Sequence, residues 1–238
     1  MSLFTAKGQA AKESANKKNI DLKKAYIRLK ENESVRVRLL GVADYVEYMA
    51  HGDFNLGIYT QPCIHPLGKE CPLCIASKSG VEGFDKLYAK KRYLMAFADI
   101  DTGEIRVWDA TKGQGQSMMD LIDEYAEVID EVAFTLKRTG TKTETKFNLM
   151  PIMKLSAEDK EKFAAFDGVK VPEDFFEKVL IPRTEEQMIE ALKAAGFPVD
   201  DFFGVAEEAP AGTAPETKED PFENVGQPIE ISDDDLPF

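Results

Sequence analysis

A chain of 238 residues, 43% of them hydrophobic, can bury one substantial core or two small ones. No apolar run is long enough to span a bilayer, and the first residues lack the apolar block of a secretory signal, so a reducing, intracellular setting is expected. The net charge of -13 argues against a nucleic-acid ligand only until its distribution is read: residues 1–154 hold 23 basic and 21 acidic side chains, residues 155–238 hold 7 and 22.

Residues 1–20 are small, polar and basic, with Lys7, Lys12, Lys17 and Lys18, and read as an arm. Ser34 to Leu39 alternates strictly and predicts a strand with Val35, Val37 and Leu39 on one face and Arg36 and Arg38 on the other. Tyr45 to Met49 predicts a second strand, His51-Gly-Asp53 a turn, and Phe54 to Thr60 a short third strand. Lys90 to Ile100 is the strongest strand pattern. Asp101-Thr-Gly103 turns it into a partner at Glu104 to Trp108. Gly113-Gln-Gly115 reads as the break that ends this strand, with Ser117 capping a helix over 118–128. Glu131 to Arg138 and Glu144 to Met150 predict a second hairpin. From Ser156 the pattern turns helical over 156–166, 172–178 and 184–195. Ser156-Ala-Glu-Asp and Thr184-Glu-Glu-Gln resemble capping boxes, and Gly196 is a stop. Residues 205–228 have the composition of a disordered linker.

All three cysteines, Cys63, Cys71 and Cys74, fall in the stretch Gln61 to Cys74 together with His65. A C-x-H arm and a C-x-x-C arm make a complete tetrahedral set for one zinc ion, and four protein ligands leave no place for a reactive water. The expected site is therefore structural, with Cys63, His65, Cys71 and Cys74 as ligands. His51 is the competing fourth ligand, set beside Gly52 and Asp53 in the expected turn. A disulfide would leave one cysteine over, and a redox C-x-x-C would sit at a helix start in a βαβ unit, which the pattern lacks.

The strands combine cations with aromatic rings. Arg36, Arg38, Lys90, Lys91, Arg92, Arg106, Lys137, Arg138, Lys142 and Lys146 lie in or beside the same segments as Tyr45, Tyr48, Phe54, Tyr59, Tyr93, Trp108 and Phe147. Cations that track phosphates and rings that stack on bases suit single-stranded nucleic acid without regard to sequence. Strand aromatics are commonly core and alternating cations commonly a wet sheet face. Trp108 alternates with Arg106 and is expected on the arginine's outer face if Ile105 and Val107 face the core. No catalytic triad, P-loop or paired-carboxylate pattern is present, so an enzyme is not expected.

The last six residues, Asp233-Asp234-Asp235-Leu236-Pro237-Phe238, join an acidic run to an apolar hook and suit a partner with a basic pocket and an apolar slot. Such a tail can also lie across a cationic groove and compete with DNA. The tip resembles that of bacterial single-stranded-DNA-binding proteins, with Leu236 where isoleucine is usual. The whole arrangement resembles the single-stranded-DNA-binding proteins of tailed phages, of the T-even helix-destabilising type. In that family one histidine and three cysteines hold zinc, which matches the four residues here in kind. The family's histidine, however, precedes its cysteines and lies farther from them.

The expected fold is mainly β with α additions (α+β). It comprises a basic arm (1–20), an OB-like barrel with a zinc-binding insertion near 60–75 and C-terminal helices (21–196), and a disordered acidic tail (197–238). The resemblance implies coating of single-stranded DNA in phage replication, recombination and repair. It also implies self-association through the arm, recruitment of replication and recombination proteins by the tail, and a place in the cytoplasm of an infected bacterium. The alternatives are a zinc-ribbon adaptor that docks through its tail and an RNA chaperone.

Overall fold

The computed structural model describes residues 7, 8 and 20–204. Most of the predicted basic arm, the linker and the acidic tip lie outside these residues. The described chain is a mixed α+β structure built on one curled, antiparallel, seven-stranded sheet. Its strands are β1 (Ser34–Arg38), β2 (Tyr45–Asp53), β3 (Ile58–Pro62), β4 (Lys90–Asp99), β5 (Glu104–Thr111), β6 (Phe134–Thr139) and β7 (Lys146–Pro151).

Strand β4 organises the sheet. One edge pairs with β5 along eight residues, from Arg92 opposite Thr111 to Asp99 opposite Glu104. The other edge is shared. Its first half, Lys90 to Met95, pairs with β2, and its end, Ala98 and Asp99, pairs with β1. From there β1 leads to β6 and β7, and β2 leads to β3. One strand serving two neighbours in succession sends them apart, so the sheet curls into a half-barrel, a geometry compatible with an OB-like barrel.

Both faces of this sheet are covered. The inner face carries Val37, Met95, Phe97, Trp108, Phe134, Leu136 and Leu149. Helix α3 (Lys112–Glu124) closes it with Met118 and Ile122. The opposite face carries Leu94, Ala96 and Val107. It is covered by Ala25 of α1 (Leu22–Ala25) and by Phe175 and Val179 of α5 (Phe175–Val179). A third cluster joins α2 (Pro72–Lys78) to α6 (Glu185–Ala194) and α7 (Val199–Phe203). Leu73 and Ala76 pack with Met188, Leu192, Phe197 and Val199. Phe197 and Val199, which the sequence places at the start of the acidic tail, are thus buried. A fourth cluster sets Phe163 of α4 (Ala157–Ala164) and Phe166 against Ala98 and Ile100.

Helix α3 starts six residues earlier than the sequence suggests. Thr111 accepts from Gln114 N–H, and the Gln114 side chain accepts from Thr111 N–H, a complete capping box. The two glycines that read as breakers lie in its first turn. Gly115 is there for packing: a Cβ at this position would meet the Tyr93 ring at 2.7 Å. Among the described residues no helix is long and apolar enough to cross a membrane.

A candidate metal centre beside a cationic cleft

The expected turn at His51 is strand instead. Strand β2 runs on to Asp53, with an irregular register between His51 and Asp53, and the reversal falls at 54–57, where Asp53 Oδ1 accepts from Asn55 and Leu56 N–H. His51 therefore pairs with Gln61 on β3 and is buried at 1% exposure. Its Nε2 lies 3.5 Å from Cys71 Sγ and 3.4 Å from Cys74 Sγ, and Cys63 Sγ lies 3.5 Å from Cys74 Sγ. The four donor atoms all fall within 4.8 Å of one another. His65 stands outside this set. It opens an exposed 3-10 turn, His65–Leu67, and what it gives the site is its backbone N–H, which donates to Cys63. The predicted fourth ligand is corrected to His51, because the strand carries His51 inward while the turn carries the His65 ring to solvent.

These distances are too long for a disulfide and suit a metal ion. A disulfide needs about 2.05 Å between sulfurs. A tetrahedron with Zn–S near 2.3 Å and Zn–N near 2.0 Å has edges of about 3.5–3.8 Å. His51 Nδ1 lies 2.6 Å from the Leu87 carbonyl oxygen, which fixes the ring proton there and leaves Nε2 as the lone-pair donor. Cys71 is the N-cap of α2 and Pro72 its first residue, so the helix start aims Cys71 and Cys74 at one point. Burial pushes the Cys63 thiol up and the Cys74 thiol up to about 12. Burial opposes the Cys71 thiolate too, but with no ion between them His51 and the backbone N–H groups of Cys74 and Ile64 act as donors, outweigh that burial and bring the thiol down to about 6; with an ion bound, Nε2 gives it a lone pair instead. A cluster that resists carrying three thiolates by itself is matched to a divalent cation. His51, Cys63, Cys71 and Cys74 could thus hold a metal ion such as zinc, with all four positions filled by protein.

His51 also lines a cleft of about 530 Å³. Its walls are the end of β2, the segment Tyr88 to Arg92 and the junction Thr111-Lys112-Gly113 where β5 meets α3. Four cations line it: Lys90, Lys91, Arg92 and Lys112. Tyr88 is 56% exposed, with Lys90 Nζ 5.0 Å from its ring centroid. Lys91 pairs with Glu47 at 3.0 Å, and Glu47 also accepts from Tyr93 Oη, which holds its carboxyl below the usual range. Arg92 donates from Nε to Asp109 at 3.0 Å.

The other predicted contact residues divide by place. Trp108 is not on an outer face. It is 2% exposed, packed in the barrel interior 4.7 Å from the Phe147 ring. The expectation fails because Ile105 and Val107 face a second covered surface, so neither face of β5 is wet. Tyr45 and Tyr93 are partly buried against the same interior, and Tyr48 against the opposite face. Several arginines hold the fold. Arg38 is buried, donating to the Phe163 carbonyl and Asp167. Arg138 is buried and donates to the Leu29 carbonyl. Arg106 binds Asp99 and the carbonyls of Lys24 and Tyr26, and Arg36 pairs with Asp101 and Asp159. Lys142 and Lys146 are exposed and Lys137 half-buried on the β6–β7 hairpin. Phe54 and Tyr59, 47% and 37% exposed, sit on the β2–β3 hairpin. The tip Asp233 to Phe238 lies outside the described residues.

Sequence reading ranked His51 only as the competing ligand and missed Lys112 and Tyr88 altogether. The signal for Lys112 was the capping box Thr111-x-x-Gln114, masked by the adjacent glycines. No protein-family model and no curated protein matches the chain.

Proposed function

We propose that this protein binds single-stranded DNA without regard to sequence, through an OB-like barrel whose cleft wall is stiffened by one structural zinc ion. The observation that carries the reading is the cleft. Three lysines and an arginine converge there, and an exposed tyrosine ring stands at its wall. Cations supply phosphate contacts and a ring supplies a stacking platform for any base. In this reading the metal does no chemistry; it ties β2, β3 and α2 together beside the cleft. The coated strand is one exposed during phage replication, recombination or repair, and the acidic tip recruits the proteins that act on it.

The test is a salt titration of oligo-dT binding by fluorescence anisotropy, with an RNA homopolymer in parallel. With three to four phosphates neutralised, log K should fall against log salt with a slope of about -2 to -3. Equal affinity for the RNA points to an RNA chaperone instead. No oligo-dT binding at low salt, with residues 205–238 removed, overturns the DNA reading.

A further inference from the structure

The four cations of the cleft are not equivalent. Lys90 and Lys112 are exposed, and Lys91 shares its charge with Glu47. Arg92 is different: its side chain is only 14% exposed and still lines the cleft. In the sheet register it faces Tyr48 on β2 and Thr111 on β5, and Asp109 lies two residues from Thr111 on the same face. Asp109 Oδ1 accepts from both Arg92 Nε and Tyr48 Oη, each at 3.0 Å. Burial opposes the Arg92 charge, and Asp109 and Tyr48 together more than offset it. The Asp109 carboxylate is therefore an odd feature for a DNA cleft. It repels phosphate, yet it sits under the least exposed cation.

We propose that Arg92 is a pre-aimed phosphate fork of this cleft and that Asp109 and Tyr48 are its positioning residues. The inference rests on the single-stranded-DNA reading above and names the group that fixes the backbone in it. With Nε committed to Asp109, the plane of the guanidinium is set, and its remaining donors sit on the terminal nitrogens that make bidentate contacts with phosphate. The lysines then add charge without direction. Ordering Arg92 before the ligand arrives removes the entropy cost of ordering it afterwards.

The test uses the full chain and a labelled oligo-dT, read by anisotropy across a salt series. Arg92→Lys keeps the charge and loses the fork, so it should weaken binding about tenfold with an unchanged salt slope. Asp109→Asn is the discriminating variant. It removes a negative charge near the DNA, so charge alone predicts tighter binding, whereas loss of positioning predicts several-fold weaker binding. The double variant should bind no more weakly than Arg92→Lys alone, since both changes act through one group. An oligonucleotide with uncharged methylphosphonate linkages should not distinguish Arg92→Lys from the parent. Asp109→Asn that melts like the parent and binds as tightly or more tightly overturns the proposal. Where Asp109→Asn does not fold, Arg92→Lys that binds like the parent does the same. Failure of the parent chain to bind oligo-dT at all strikes the underlying reading instead.

Discussion

His51 meets the three cysteine sulfurs because β2 continues through it, and the bond from its Nδ1 to Leu87 sets which nitrogen faces them. His65, two residues from Cys63, is nearer in sequence and farther from use: its ring is exposed and only its backbone N–H touches the site. His51→Ala should therefore abolish stoichiometric zinc and lower the melting temperature, while His65→Ala should keep close to one zinc per chain. Metal analysis after gel filtration checks this, and equal zinc in both variants refutes the ligand set. Trp108 carries a second prediction at this scale. A ring 2% exposed and packed on Phe147 should cost about 3–5 kcal/mol when cut to alanine. Its emission should be blue-shifted and little quenched by iodide, whether or not DNA is present. A red-shifted, readily quenched spectrum in the native protein contradicts its burial.

Elements with a clean period were legible in the sequence. The Lys90 strand, its turn at Asp101-Thr-Gly103 and the helices capped by Ser156 and Thr184 all form close to where alternation and capping residues put them. Legibility failed where two local signals opposed each other. At 111–115 the glycines argued for a break and the Thr111–Gln114 box for a helix start; the box won because Gly115 makes room for Tyr93. At His51 the Gly52-Asp53 pair argued for a turn, and pairing with β3 extended the strand past it. Trp108 was misplaced for a different reason: alternation tells which residues share a face and not whether the other face is covered. The β6–β7 turn tests the element scale. Gly140 has φ +73°, and a Cβ there would run into the Glu144 carbonyl oxygen. Gly140→Ala should destabilise the protein by about 2 kcal/mol, from the left-handed penalty and the clash together. Urea unfolding reads this as a lower midpoint at constant slope. An unchanged midpoint would show that the turn relaxes without loss.

Across the whole molecule, charge and architecture separate in the same direction. The barrel strands, the His51–Cys63–Cys71–Cys74 cluster and the cleft lie in the part of the chain with near-balanced charge, while residues 205–238 hold ten acidic residues and one lysine. Helices α6 and α7 pack on α2, beside Cys71 and Cys74, rather than on the barrel interior, so an ion held there would also anchor the route by which the chain leaves toward that acidic segment. Removing residues 205–238 should strengthen oligo-dT binding several-fold at low salt, because an attached polyanion competes with DNA for Lys90, Lys91, Arg92 and Lys112. The gain must shrink as salt rises, since the screening length falls from about 10 Å at 0.1 M to about 3 Å at 1 M. The truncated chain should accordingly show the steeper salt slope, and the two curves should converge at high salt. Restoring the segment with its acidic residues changed to asparagine and glutamine should leave binding at the truncated level, which separates charge from bulk. Parallel curves for the full and truncated chains would mean that the segment does not reach the cleft.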